Sequence, residues 1–241
     1  MNFGEIDITT TNSPEGGVGT FKPAYMNINI GYAKAFSNSI YGGINIKIIS
    51  ESISDASALG IGIDAGIQYV TGERDQIKFG VALKNVGAPM RFSGDGLSFR
   101  GIIPGHGNDN DLFTVSQRSE KFELPATLRI GASYDFLIGE MNRITLAGNF
   151  NSNSFSRDQF ILGLEYALKY YLTLRAAYTY QQDIFETNAA DRGTVFTGLS
   201  AGFTVSVPFN KEKETGIGID YSYRSTNPFG GVHNIGLTLN F

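Results

Sequence analysis

Residues Asn234-Ile235-Gly236-Leu237-Thr238-Leu239-Asn240-Phe241 alternate without a break. Ile235, Leu237, Leu239 and Phe241 fall on one face, and Asn234, Gly236, Thr238 and Asn240 on the other. A period of two belongs to a β-strand, because successive side chains point to opposite sides of a pleated backbone. A strand with one greasy side that runs to the final residue has to be paired or buried. Two arrangements satisfy that demand. In a closed barrel the last strand pairs with an earlier one and no edge remains. In a soluble sandwich the greasy face is buried against a second sheet.

The same alternation recurs along the chain in about twelve segments. The first is Phe3–Thr10, followed by Tyr25–Phe36, Ile40–Ile48, Gly60–Val70 and Ile77–Asn85. After a long interruption come Ala126–Phe136, Ile144–Phe150, Phe160–Leu168, Leu172–Tyr180, Leu199–Val207, Ile217–Tyr223 and the closing strand. The charges Lys47, Asp64, Lys78, Lys84, Arg129, Asp135, Glu165, Arg175 and Asp220 all lie on the polar faces, and Lys34 alone stands on an apolar one. No segment has the spacing of a long amphipathic helix, and no apolar run is long enough for a transmembrane helix; neither point bears on a barrel.

The connections separate the two arrangements. Short ones near Ser37–Ser39, Thr71–Gln76, Ile138–Arg143 and Lys169–Tyr171 alternate with longer ones at Ile49–Leu59, Val86–Pro125, Asn151–Gln159 and Gln181–Thr197. Short turns at one end and long loops at the other are the asymmetry of a bacterial outer-membrane barrel, and an aromatic last residue after an alternating strand is typical of one. Pro208–Gly216 is intermediate and fits the sorting less well. The reading is an all-β chain, an antiparallel transmembrane β-barrel with its polar faces toward the lumen, forming a single domain over 1–241. Ile28, Ile46, Ile63, Leu128, Leu164 and Leu237 are then expected to face outward. Because Met1-Asn2-Phe3-Gly4-Glu5 leads directly into a strand, without a basic start or apolar core, the sequence reads as a fragment lacking a signal peptide.

Composition narrows the chemistry. The chain of 241 residues carries 30 glycines, 12 tyrosines and 18 phenylalanines but no cysteine, so disulfides and thiolate chemistry are excluded. A net charge of −4 without any Lys/Arg run argues against nucleic acid as a partner. His106 and His233 both lie in connections, which leaves no imidazole-rich metal site. Asn108-Asp109-Asn110-Asp111 lacks the glycine and distal glutamate of a calcium loop. Gly16-Gly17-Val18-Gly19 opens no helix that could cradle a phosphate. No catalytic constellation and no cofactor are expected.

Two features remain. The connection Val86–Pro125 is too long and too apolar for a simple solvated loop. Its Met90, Phe92, Phe99 and Phe113 are candidate anchors for a partner, and the competing reading is a lid packed only for stability. The second feature is a register. Leu164, Tyr166 and Leu168 share a face with Leu172 and Leu174, so the intervening turn holds an odd number of residues, Lys169-Tyr170-Tyr171 being the shortest. That choice sets Glu165 directly opposite Arg175 on the lumen side as an ion pair.

The succession Gly43-Ile44-Asn45-Ile46-Lys47, Asp64-Ala65-Gly66-Ile67-Gln68-Tyr69 and Leu83-Lys84-Asn85-Val86-Gly87 resembles the PorV/PorQ family. These are FadL-like outer-membrane barrels associated with the type IX secretion system. Gly163-Leu164-Glu165-Tyr166, Leu174-Arg175-Ala176-Ala177-Tyr178, Ile219-Asp220-Tyr221-Ser222-Tyr223 and His233-Asn234-Ile235-Gly236-Leu237 extend the resemblance over nearly the whole chain. It implies about fourteen strands, two of them absent here, and a non-enzymatic role. The barrel would receive the carboxyl-terminal signal domain of secreted cargo, with a secretion channel and an attachment machinery as further partners beside the outer-membrane lipid. The alternative is a FadL-like conduit for hydrophobic small molecules. A lipid-modifying outer-membrane hydrolase is a third reading, disfavoured by the lack of any Ser/His/Asp grouping.

Overall fold

The computed structural model describes residues 4–103, 105, 111–169, 171–186, 193–210, 215–227 and 229–240. In chain order the strands are β1 (Ile6–Asp7), β2 (Thr20–Phe21), β3 (Ala24–Ala35), β4 (Ile40–Ile53), β5 (Ala56–Thr71), β6 (Ile77–Gly87), β7 (Met90–Arg91), β8 (Ser98–Gly101) and β9 (Phe113–Ser116). They continue with β10 (Lys121–Phe122), β11 (Thr127–Ile138), β12 (Asn142–Asn153), β13 (Gln159–Leu168), β14 (Leu172–Gln181), β15 (Phe196–Asn210), β16 (Thr215–Thr226) and β17 (Val232–Asn240). The one helical turn among the described residues is a 3-10 turn at Asp95–Leu97.

Eleven strands form one antiparallel sheet in the order β3-β4-β5-β6-β11-β12-β13-β14-β15-β16-β17, so each pairs with its neighbour in sequence once the small strands β7–β10 are set aside. β3 and β17 are its edges. Phe3–Thr10 does not join this sheet. Ile6 and Asp7 pair instead with Phe21 and Thr20 in a separate ribbon.

One face of the sheet is apolar and exposed. In direct register, Phe136, Ile144, Tyr166, Leu174, Phe203, Tyr221 and Ile235 form one cross-strand row from β11 to β17. Val81, Ile130, Phe150, Phe160 and Tyr180 form another from β6 to β14. Of the residues expected to face outward, Ile28, Ile46, Ile63, Leu164 and Leu237 are exposed, and Leu128 is half-buried. Water disfavours a continuous exposed apolar face of this extent, whereas lipid is its natural solvent. Next-neighbour antiparallel strands with such a face are the wall of an antiparallel transmembrane β-barrel, the fold class expected from the alternation.

The connections differ from the expectation at two places: Asn151–Gln159 shrinks to 154–158, no longer than the turn at 72–76, because β12 runs on to Asn153. Ile49–Leu59 is not a loop: β4 and β5 run to a tight turn at Ser54–Asp55, with Ser54 at φ 49°. The physical reason lies on the other face, where Ile49 and Ala58 are buried, so the polar-apolar alternation that marks a strand is lost there. The remaining turns at 36–39, 72–76, 139–141 and 169–171 are short, and the long connections are those from β6 to β11 and from β14 to β15.

The chain divides into two compact units. The first comprises Met1–Tyr32, Ile44–Asp64 and Asn85–Pro125, and the second Ala33–Gly43, Ala65–Lys84 and Ala126–Phe241.

Candidate functional site

The connection from β6 to β11 is an interrupted hairpin. β7 pairs with β10 (Met90 opposite Phe122) and β8 with β9 (Phe99 opposite Val115, Gly101 opposite Phe113), each pair nested inside the one before it. Its base is packed. Met90 is 1% exposed and sits in a cluster with Ile49, Ala58 and Leu124, against which Tyr25, Phe92 and Phe122 pack. The Phe92 and Phe122 rings stack at 5.4 Å between centroids. Gly60 of β5 makes room for this: a Cβ there would fall 2.5 Å from Met90 Cγ and 2.6 Å from Sδ. The base is also tied to the β4–β5 turn by reciprocal backbone hydrogen bonds between Ser57 and Ser93 at 2.8 and 2.9 Å.

The end of the hairpin is different. Phe99 is 54% exposed and Leu112 60%, and Ile102 and Ile103 are exposed beside them. Phe113 is half-buried. Of the four candidate anchors, then, Met90 and Phe92 belong to the packed base and Phe99 stands free. Asn108–Asn110 and His106, with the calcium-loop resemblance they raised, lie outside the described residues, as do Tyr170 and the terminal Phe241.

In the same unit the polar face carries a closed network. Lys47 Nζ contacts Asp64 Oδ2 at 2.7 Å and donates to Asn85 Oδ1 at 2.7 Å. Asn85 N donates to Asp64 Oδ1 at 2.8 Å, and Asn85 Nδ2 to the Pro125 carbonyl at 2.9 Å. Asn85 holds φ at 59°, a left-handed conformation that asparagine tolerates better than most residues. The side chains of Lys47 and Asp64 are only 11% and 15% exposed.

In the second unit the polar face carries an open belt. Lys78 Nζ and Thr145 Oγ1 donate to the two oxygens of Asp135 at 2.7 and 2.6 Å. Leu168 pairs with Leu172 across turn 169–171, which places Glu165 opposite Arg175. Arg175 Nε donates to Glu165 Oε2 at 2.8 Å, and Arg143 Nη2 to Glu165 Oε1 at 2.6 Å. Arg175 Nη1 then donates to Thr204 Oγ1 at 2.7 Å, and Thr204 Oγ1 to Asp220 Oδ1 at 2.5 Å. Thr238 Oγ1 completes the belt on Asp220 Oδ2 at 2.7 Å. Charged or hydroxyl side chains thus link β6 to β17, one strand to the next. Next to the belt runs a row of small residues in direct register, Ser133, Ala147, Gly163, Ala177 and Ser200. Sequence reasoning reached Glu165 and Arg175 but not Arg143, Thr204 or Thr238. Their common signal is strand parity: each falls on the same face as the belt's charges.

His233, expected in a connection, belongs instead to β17, where its Nδ1 shares a hydrogen bond with Tyr221 Oη at 2.8 Å. Among the described residues no group of three His, Asp or Glu side chains is placed to hold a metal ion.

No protein-family model matches the chain, and no curated protein does. Among solved structures it is similar to mutants of Rhodopseudomonas blastica porin. A triple mutant is 12% identical, with 93% of each chain covered and a TM-score of 0.34. A five-substitution mutant is 11% identical, with 92% of each covered and a TM-score of 0.35.

Proposed function

We propose that this chain is an outer-membrane barrel of the PorV/PorQ kind, non-enzymatic, that docks a secreted protein through the hairpin between β6 and β11. The exposed apolar face of the sheet supports a place in the bacterial outer membrane, with the polar face toward the barrel interior. The observation that carries the docking reading is the contrast within the hairpin. Its base is locked by Met90, Leu124 and the Phe92–Phe122 stack, while Phe99, Ile102, Ile103 and Leu112 are left uncovered. An apolar tip on a rigid stem is preorganised for contact, and aromatic anchors dominate such contacts. The partner is the carboxyl-terminal signal domain of exported cargo, with a secretion channel and attachment machinery as neighbours. A conduit for hydrophobic solutes is less well served, because the polar face is charged from β6 to β17.

The test is capture of a cargo signal domain from native outer membranes by the parent chain and by a Phe99→Ser/Leu112→Ser variant. Loss of capture is expected, with heat-modifiable electrophoretic mobility unchanged. Equal capture by a folded variant refutes the reading.

A further inference from the structure

Arg129 stands on the polar face of β11, opposite Ala82 of β6. Among the described residues its guanidinium forms neither an ion pair nor a hydrogen bond. It lines a groove of about 700 Å³ in the second unit, together with Lys78, Gln68, Ser133 and Asn149. No carboxylate is among the lining residues, although the chain as a whole has a net charge of −4. Lys78 already has its charge matched by Asp135 at 2.7 Å. Arg129 does not.

The floor of the groove is low. Gly80 pairs with Gly131 across β6 and β11, and Gly66 lines the groove beside them. Asn149 lies over Gly131, where a Cβ would come within 2.9 Å of its Oδ1. The Asn149 amide nitrogen is held by Asn151 Oδ1 at 2.6 Å, which leaves the unpaired guanidinium and the Ser133 hydroxyl beside bare backbone, a setting suited to an oxyanion. A guanidinium meets carboxylate and phosphate oxygens with two parallel N–H donors, and a wall free of acidic groups does not repel them.

We infer that this groove binds an anionic ligand through a phosphate group, with Arg129 as the bidentate contact and the Ser133 hydroxyl as a neutral donor. The site is independent of the docking hairpin, since none of its residues lies between β6 and β11, and it stands or falls separately from cargo capture.

The experiment titrates sodium pyrophosphate into the folded chain in lauryldimethylamine oxide at low ionic strength, followed by calorimetry. Saturable binding is expected, weakened roughly tenfold or more in Arg129→Gln, as loss of a charge-assisted bidentate contact implies. Arg129→Lys, which keeps the charge without the fork, is expected to fall between. Arg74→Gln, at an exposed arginine in turn 72–76, is expected to bind like the parent. Dihexanoyl phosphatidate is titrated in parallel. If it alone binds, and Arg129→Gln abolishes that binding, the phosphate is a lipid headgroup; if pyrophosphate binds, it is a water-borne solute. A readout without variants is phenylglyoxal modification of the parent, read by mass spectrometry, in which the ligand should protect Arg129 and leave Arg74 reactive. No saturable binding of either probe, or equal binding by parent and Arg129→Gln, overturns the inference.

Discussion

The polar face is built in two ways within one chain. In the first unit it is filled: Ile49, Ala58, Met90 and Leu124 pack over glycines, and the charges that remain, Lys47 and Asp64, are almost enclosed. In the second unit it is left open, with small residues in register and a belt whose arginines are 39% and 51% exposed. The charges of the two units answer to different energetics. Enclosed charges have lost their water and depend on their partners, so removing one strands the other. Open charges exchange a partner for solvent at little cost, so their arrangement serves the face they present more than the stability of the fold.

Truncation of the filled side should cost the most. Met90→Ala is expected to destabilise the folded chain by about 2–5 kcal/mol in urea unfolding from detergent, as for other fully buried side chains that leave a cavity. A loss below about 1 kcal/mol would mean that the cluster is not a core. Next comes the enclosed pair. Asp64→Ala leaves Lys47 with the side-chain oxygen Oδ1 of Asn85, and a loss of about 1–3 kcal/mol is expected.

The open side should respond less. Arg175→Glu sets like charges directly opposite on β13 and β14, for which a loss of roughly 0.2–1 kcal/mol is expected, part of it relieved by Arg143 on the same carboxylate. If Asp64→Ala and Arg175→Glu cost the same, the contrast between the faces has no energetic content. The smallest effect is that of salt. Raising NaCl to about 1 M shortens the Debye length to about 3 Å, which should shrink the Arg175→Glu penalty while leaving that of Asp64→Ala nearly unchanged.

The sequence disclosed the open side better than the filled one, and for a physical reason. Where one face meets lipid and the other stays polar, alternation survives, and eleven of the twelve marked segments are sheet strands. The Glu165–Arg175 register was accessible because turn 169–171 is too short to allow many choices. Ile49–Leu59 lacks alternation because its inner face carries Ile49 and Ala58, packed by Met90 and Leu124, where a lumen strand would carry polar residues. Phe3–Thr10 alternates like a sheet strand, yet period alone names no partner, and Phe21 supplied one. In the hairpin, composition marked Met90, Phe92, Phe99 and Phe113 as equals. Only Gly60, whose missing side chain makes room for Met90, tells base from tip, and a glycine one strand away in sequence carries no such label.

The nesting of β8–β9 within β7–β10, and of that pair within β6–β11, has a kinetic consequence. Among the described pairings of the sheet, β6 with β11 spans the longest stretch of chain, from Lys84 to Thr127 at its inner end. Closing a flexible loop grows costlier by about 0.6 kcal/mol for each doubling of its length. Concentric pairing divides that step into short ones, each drawing the next pair of residues together. Breaking β8–β9 is therefore expected to slow the pairing of β6 with β11 more than that of any hairpin closed by a short turn, as refolding followed by heat-modifiable mobility would record.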